Sequence, residues 1–284
     1  MIGNTYQANQ TLVLGGTGKT GRRVVQRLTA HGVPARVGSR SGQPPFDWED
    51  PSTWAAALDG VGSVYISYYP DIAAPGAVQV VGSFAELAVH SGARRLVLLA
   101  GRGEPESESA EQAVRDSGAD LTILRSTWFS QNFSEDYLLE PVLAGEVALP
   151  AGDTPEPFID ADDIADVAVA ALTEDGHVGR LYELTGPRLL TFAEAVHEIA
   201  EATGREIRYV PVSIDEYATA ATGQGVPDEV IDILTYLFGE VLDGRNAHLA
   251  DGVQRALGRE PRDFADYART AATTGVWSPS AVTA

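Results

Sequence analysis

The sequence predicts an α/β protein with a doubly wound parallel sheet and a smaller C-terminal lobe. Short apolar and β-branched segments alternate with helical segments from Thr11 to about Leu124, the pattern of repeated strand–helix–strand units. The strand segments are continuously apolar, as expected for strands covered on both faces. With 284 residues, the chain is long enough for a large α/β domain and an additional lobe.

The first half of the chain follows this alternation element by element. Thr11–Leu14 predicts the first strand, and Arg22–Ala30 carries apolar residues at helical spacing. Further strands are predicted at Ala35–Ser39, Phe46–Trp48, Ser63–Ser67, Leu96–Ala100 and Leu121–Leu124. Further helices are predicted at Pro51–Leu58, Gly76–His90 and Ser109–Ser117.

The alternation loosens after Trp128, where several prolines mark loops between shorter elements. Thr191 with Glu194 is a capping-box pattern that predicts a helix over Phe192–Ala202. Ile207–Val212 predicts a late strand. We therefore expect a first domain over residues 1–150. Residues 151–284 are expected to form mainly a lobe that packs on it and covers the substrate, with late strands returning to the sheet.

Composition excludes several classes of function. Forty acidic against 20 basic residues give a formal charge of −20, so we expect no nucleic-acid partner and no anionic membrane surface. The chain has no cysteine, which excludes disulfides and thiolate metal sites, and its histidines lack metal-ligand spacing, so no metal is expected. Residues 1–10 do not resemble a signal peptide, and no apolar run approaches a membrane span. These features predict a cytoplasmic protein.

A glycine-rich loop, Gly15-Gly16-Thr17-Gly18-Lys19-Thr20-Gly21, joins the first strand to the first helix. Unpaired N–H groups and the positive end of a helix dipole bind anions there. Glycines at 15, 18 and 21 have the spacing of a Rossmann-type dinucleotide loop. The end of the loop imitates a P-loop, but that motif needs a glycine where Val13 stands. The first domain is therefore predicted to bind a dinucleotide.

The end of the second strand indicates which dinucleotide. An NAD site usually offers a carboxylate here for the ribose 2′-hydroxyl, whereas a 2′-phosphate favours arginine. The segment reads Gly38-Ser39-Arg40-Ser41, and Arg40 supplies a planar donor fork suited to phosphate. The predicted cofactor is NADP(H). Lys19, the only lysine of the chain, is either a phosphate or ribose contact or a solvent-exposed side chain.

Several ordered motifs extend beyond the loop. They are GGTGKTG at 15–21, SRS at 39–41, FDW at 46–48, ILRSTWFSQNF at 123–133 and PFIDADDIADVA at 157–168. In these motifs the chain resembles the NmrA-like branch of the atypical short-chain dehydrogenases/reductases, and within it the ergot-alkaloid-type NADPH-dependent reductases. The resemblance runs from about Thr11 to Trp277.

The resemblance adds site residues to the loop and Arg40. The expected cofactor contacts are Gly15, Thr17, Gly18, Lys19, Thr20, Ser39, Arg40, Asp47, Trp48, Ser67, Tyr68, Gly101 and Thr127. Aromatic and polar residues after the predicted strands favour a flat, apolar substrate, with expected contacts from Tyr69, Trp128, Phe129, Asn132 and Phe133. No catalytic residue is assigned, and the candidates are Tyr69, Trp128 and Asn132. Asp162 and Asp163 are expected to cap a helix that begins near Ile164.

One departure from the wider superfamily limits the chemistry. Short-chain dehydrogenases typically use a Tyr-x-x-x-Lys pair to protonate a carbonyl oxygen, and here the residue four before Lys19 is Gly15. Two functions remain open. The first is an NADPH-dependent reductase that transfers hydride to an already electrophilic small molecule, such as an iminium, quinone or conjugated carbonyl, in secondary metabolism. The second is a non-catalytic regulator that senses NADP(H).

Overall fold

The computed structural model describes residues 10–278. The prediction that residues 1–10 form no signal peptide concerns residues outside this range, except for Gln10. The described chain forms two compact units. The first unit runs through Arg125 and adds Ile164–Glu183 and Arg255–Gly258; the second contains Ser126–Asp163, Leu184–Gln254 and the chain from Arg259. Within residues 10–278, no helix has both the length and the apolar character needed to cross a membrane.

A six-stranded sheet is the centre of the first unit. Its strands are β1 (Gln10–Leu14), β2 (Ala35–Gly38), β3 (Val61–Ile66), β4 (Arg95–Gly101), β5 (Asp120–Ser126) and β7 (Leu181–Leu184). They lie in the order β2-β1-β3-β4-β5-β7. β1 runs parallel to β2 and β3, and β3 runs parallel to β4. The predicted doubly wound α/β architecture is confirmed.

Complete burial explains why β1 is apolar from Leu12 to Leu14. Leu12, Val13 and Leu14 all have no exposed surface, so both faces of β1 are covered by helices or loops. The helices that accompany this sheet are α1 (Lys19–Ala30), α2 (Trp54–Leu58), α3 (Ala77–His90), α4 (Pro105–Asp116) and α7 (Ala161–Thr173). Each lies close to its sequence prediction where one was made.

One predicted strand is absent. Phe46–Trp48 forms no sheet strand, and Asp47 makes only an isolated antiparallel bridge to Asp50. The Trp54 indole nitrogen donates a hydrogen bond to the Asp47 carbonyl oxygen at 2.7 Å. This bond ties the segment to the start of α2 as a turn, so aromatic content alone misled the strand prediction.

The second unit is mainly helical. It holds α5 (Asn132–Glu135), α6 (Leu139–Ala144), α8 (Phe192–Thr203), α9 (Ile214–Gly223), α10 (Asp228–Tyr236), a π-helical turn (Leu237–Val241) and α12 (Phe264–Thr273). Of α11 (Gly252–Leu257), the residues through Gln254 belong to the second unit and those from Arg255 to the first. Two strands, β6 (Glu146–Leu149) and β8 (Arg208–Pro211), pair in parallel as a separate sheet. The late strand predicted at Ile207–Val212 exists, but it joins β6, and the strand that returns to the main sheet is β7.

The predicted capping box is confirmed. The Thr191 hydroxyl accepts a hydrogen bond from the Glu194 backbone N–H, and the Glu194 carboxylate accepts one from the Thr191 backbone N–H. Gly204 ends the helix in the left-handed conformation with φ 63°. These signals are local, which is why the sequence identified both ends of this helix.

The division of the chain differs from the expected boundary at residue 150. The chain leaves the first unit after Arg125 and comes back to it at Ile164 to supply α7 and β7. Residues 126–163 instead contribute to the core of the second unit, which includes Phe133 and Phe158. No proline or glycine cluster marks a boundary near residue 125 in the sequence. The chain enters the second unit at the last residue of β5, so no loop separates the two units at this point.

One member of the acidic pair before Ile164, Asp163, has a role other than the expected cap. α7 begins at Ala161, and the carboxylate of Asp160 accepts a hydrogen bond from the Asp162 N–H at 2.8 Å, as an N-cap does. Asp163 is fully buried and its carboxylate pairs with Arg262 and, at 2.7 Å, with Arg259. Asp163 therefore holds the segment before α12 within the second unit.

Candidate functional site

The loop between β1 and α1 closes tightly on itself. Gly15 has φ +62°, and the Gly18 N–H donates a hydrogen bond to the Gly15 carbonyl oxygen at 2.8 Å. A Cβ on Gly21 would lie 2.2 Å from the same carbonyl oxygen, and a Cβ on Gly16 would lie 2.9 Å from the Val13 carbonyl oxygen. Both distances are below any real Cβ contact, so glycine alone lets helix and strand approach this closely.

This loop fits the pyrophosphate of a dinucleotide. Thr17 and Gly18 are exposed, and no side chain caps the N-terminus of α1 or places a carboxylate in its first turn. The first backbone N–H groups of the helix lie at the positive end of its dipole and are therefore available to an anion. A Cβ on Gly15 would meet Ser67 at 3.4 Å, which places Ser67 against the base of the loop.

Thr20 faces the core. Its hydroxyl accepts a hydrogen bond from the Tyr65 hydroxyl at 3.0 Å, and only 4% of Thr20 is exposed. Burial raises the pKa of Tyr65 far above its usual value. The Thr20 hydroxyl therefore takes part in a hydrogen bond inside the fold. The expected cofactor contact at this position would have to come from the Thr20 backbone.

A compact turn places Arg40 beyond the end of β2. The Ser39 carbonyl oxygen accepts hydrogen bonds from the Gly42 and Phe46 N–H groups, each at 2.9 Å. Arg40 is exposed at the top of this turn, while Ser39 is half-buried. The turn positions a guanidinium at the carboxyl end of the strand next to β1, the place expected for a ribose substituent.

Trp48 and Tyr68 form a half-buried aromatic pair in the first unit. Their ring centroids are 5.0 Å apart, and Trp48 also packs edge to face on Phe46 and Phe84. Trp48 therefore packs against the core of the first unit, and part of its surface remains exposed. Asp47 lies next to it, and its carboxylate accepts a hydrogen bond from the Glu49 N–H at 3.1 Å.

Gly101 is the last residue of β4, and Tyr69 follows the neighbouring strand β3. The Gly101 N–H donates a hydrogen bond to the Ser107 hydroxyl at 2.9 Å, which joins the end of β4 to α4. A Cβ on Gly101 would lie 2.2 Å from Oε1 of Glu104, so a carboxyl group packs directly on this glycine. Tyr69 is 72% exposed, and its hydroxyl is open to solvent in the first unit.

The remaining expected site residues lie in the second unit. The Thr127 hydroxyl donates a hydrogen bond to the buried Glu156 carboxylate at 2.5 Å. Trp128 is partly buried and packs on Phe192 and Phe238, with centroids 5.2 and 4.9 Å away. Its aromatic surroundings agree with an apolar contact surface. Phe129, half-buried, pairs with Ile159 through an isolated parallel bridge.

Phe133 and Asn132 are more buried than a ligand-facing position requires. Phe133 has no exposed surface and packs on Phe158 and Phe264, which places it in the core of the second unit rather than on an accessible surface. Asn132 is 9% exposed, and its backbone N–H donates a hydrogen bond to the Phe129 carbonyl oxygen at 3.1 Å. The burial of three consecutive residues in the short helix α5 was not visible in the sequence.

Sequence reasoning missed three carboxylates. Asp71 follows β3, Glu104 follows β4, and Glu156 is fully buried. Burial raises the pKa of Asp71 above its usual value, and the nearby Lys19 ammonium offsets part of this rise. A signal was available for the first two, because acidic residues shortly after the strands of a parallel sheet gather at one edge. The predictions followed glycines and aromatics and passed over them.

Lys19 is half-buried at the first position of α1. Its replacement by methionine keeps the aliphatic stem and removes the charge, so we expect NADPH affinity to fall roughly 5-fold through one lost phosphate interaction. Titration of NADPH fluorescence at two ionic strengths checks this. An unchanged affinity at both ionic strengths would show that Lys19 does not contact the cofactor.

Comparison with known proteins decides the family. The NAD(P)H azoreductase of Xenophilus azovorans is 32% identical over 279 residues, covering 91% of this chain and 96% of that protein. The festuclavine dehydrogenase of Aspergillus fumigatus is 31% identical over 277 residues, covering 90% and 96%. This chain belongs to the NmrA-like branch of the atypical short-chain dehydrogenases/reductases. The resemblance predicted from the motifs is confirmed.

The fold of this NmrA-like protein is also that of solved reductases. An NADPH-dependent quinone oxidoreductase from Escherichia coli, solved with NADPH, superposes with a TM-score of 0.77 at 22% identity, covering 92% of this chain and 99% of that chain. At this identity the match shows the fold alone. No family model matches the sequence.

Proposed function

We propose that this NmrA-like protein is an NADPH-dependent reductase of electrophilic small molecules. The observation that carries the proposal is the glycine-rich loop between β1 and α1, with no side-chain cap on α1 and with Arg40 beyond the end of β2. Relatives above 30% identity over nearly the whole chain are named as an NAD(P)H azoreductase and a festuclavine dehydrogenase, which supports an NAD(P)H-dependent oxidoreductase.

Residues of the first unit would hold the adenosine half and the pyrophosphate of the cofactor. The N–H groups of the first turn of α1 would hold the pyrophosphate, and the Arg40 guanidinium would pair with the 2′-phosphate. The accessible side of Trp48, with Tyr68, offers the adenine a flat apolar surface. Lys19 would add positive charge beside the phosphates.

The substrate class follows from what the chain lacks. NADPH, when bound, supplies a hydride. No Tyr-x-x-x-Lys pair exists to protonate a carbonyl oxygen strongly, so the acceptor must already be electrophilic, as iminium ions, quinones and conjugated carbonyls are. With such acceptors, positioning supplies most of the acceleration. In the second unit, Trp128 and Phe129 provide the aromatic surface suited to a flat acceptor.

A spectrophotometric panel tests this function. Oxidation of NADPH is followed with quinones, enones and cyclic iminium ions, and we expect turnover of at least one class with NADPH preferred over NADH. Simple ketones are the matched negative set, because their reduction relies on the Tyr-x-x-x-Lys pair that this chain lacks. Tight binding of NADP(H) with no turnover of any acceptor would contradict a reductase and leave the NADP(H)-sensing regulator.

A further inference from the structure

A buried carboxyl group lies at the carboxyl end of β4. Glu104 is only 7% exposed, and its Oε1 and Oε2 lie 2.2 and 2.3 Å from the position of a Cβ on Gly101. Its Oε2 has no hydrogen-bond partner among residues 10–278. Buried polar atoms are nearly always paired in folded proteins, so this oxygen requires an explanation.

The charges around Glu104 favour its neutral form. Burial, with the negative charges of Asp71 and Glu106, raises the pKa of Glu104 to about 8. Lys19 faces Asp71 and lowers the pKa of that neighbour. The other cation of the segment, Arg102, lies 3.4 Å from Glu183. Near neutral pH, Glu104 therefore mostly holds its proton.

The sheet order places this group relative to the cofactor proposed above, and the inference rests on that proposed function. β2 and β3 lie on opposite sides of β1. If Arg40 after β2 holds the adenosine half, the nicotinamide half extends across the ends of β3 and β4. Asp71 and Glu104 follow those two strands. The nicotinamide half is thus the part of the cofactor that approaches this pair.

We propose that Glu104 is a proton-holding group whose ionisation is coupled to the redox state of the nicotinamide. NADPH has a neutral nicotinamide and leaves Glu104 as a carboxylic acid. NADP⁺ has a cationic ring, which favours the carboxylate. The O–H bond of Glu104 then breaks and its proton leaves to solvent, while Glu104 itself is neither oxidised nor reduced. The group regains the proton when neutral NADPH binds again.

The sign of the pH dependence follows from this coupling. Below the pKa of Glu104, NADP⁺ must displace a proton to gain the carboxylate; above it, the carboxylate is already present. The affinity for NADP⁺ relative to NADPH should therefore rise roughly 10-fold from pH 6.5 to pH 9, as for a shift of about one pKa unit. The 2′-phosphate is common to both nucleotides, so its own titration cancels from the ratio.

Calorimetry of nucleotide binding in two buffers of different ionisation enthalpy counts the protons released. At pH 7.5 we expect NADP⁺ to release about half a proton more than NADPH in the unaltered chain, and no difference in Glu104→Gln. Glu86→Gln, the same change at an exposed position of α3, should keep the difference. Asp71→Asn should move the midpoint of the affinity ratio to lower pH, because a charge that raises the pKa of Glu104 is removed.

The outcomes separate this coupling from the function it rests on. Equal proton release with both nucleotides in the unaltered chain, or a release that persists in Glu104→Gln, would overturn the coupling while NADP(H) binding stands. If neither nucleotide binds, the proposed function fails and the coupling fails with it. An unshifted midpoint in Asp71→Asn would also count against Glu104 as the titrating group.

Discussion

Replacement of Gly21 by alanine should lower NADPH affinity more than about 100-fold and destabilise the fold by about 3 kcal/mol. The new Cβ would lie 2.2 Å from the Gly15 carbonyl oxygen and 2.6 Å from its carbon. Backbone atoms cannot move aside as a side chain can, so the loop and α1 must separate. This separation distorts the phosphate site. Denaturant unfolding and NADPH titration measure the two effects.

A matched control is available in the second unit. Gly223 ends α9 and has nothing within 4 Å of its Cβ position, so Gly223→Ala should be neutral or slightly stabilising with unchanged NADPH affinity. Gly18→Ala alters the same loop at a smaller cost to the stability of the fold, because its Cβ would meet only the Gly15 carbonyl oxygen, at 3.2 Å. Normal NADPH affinity in Gly21→Ala would show that the cofactor does not use this loop.

Replacement of Arg40 by alanine should weaken NADPH binding by roughly 10- to 100-fold and leave NADH binding nearly unchanged. A charge-assisted hydrogen bond to phosphate contributes about this much to binding affinity. NADH has no 2′-phosphate, so the substitution removes no such bond from its complex. Arg40 is exposed at the top of a turn held by backbone hydrogen bonds. The unfolding free energy should therefore stay the same. Titrations with both cofactors give the ratio.

Arg180→Ala removes the same charge from another exposed position of the first unit and is the control for the overall field. It should change both affinities equally and little. A parallel loss of NADPH and NADH affinity in Arg40→Ala would indicate a general electrostatic effect. The predicted preference for NADP(H) would then need another residue.

Local patterns made most elements of the first unit predictable. The strand before Gly15, the glycine spacing and the polar turn around Arg40 each occupy a few consecutive residues, and their physical requirements can be read from residue type. The same holds for the capping box at Thr191. The strand predicted at Phe46–Trp48 failed because a side-chain hydrogen bond from Trp54 governs that segment.

Long-range features were not predictable from one sequence. The second unit takes over at Ser126, within a continuous strand, and no local signal marks the change. Phe133 was placed at the substrate by its position after β5, yet tertiary packing buries it completely. The environment of Glu104 likewise depends on Asp71, which is distant in sequence and comes close only through the sheet.

Transfer of deuterium from C4-deuterated NADPH to an acceptor tests the central claim most directly. A cyclic iminium ion or an enone is the right acceptor, because the new C–H bond does not exchange with water. We predict one deuterium in the reduced product, detected by mass spectrometry, from one of the two C4 deuterated forms of the cofactor. Bound NADPH with no reduced product, or product without deuterium from either form, would contradict hydride transfer by this protein.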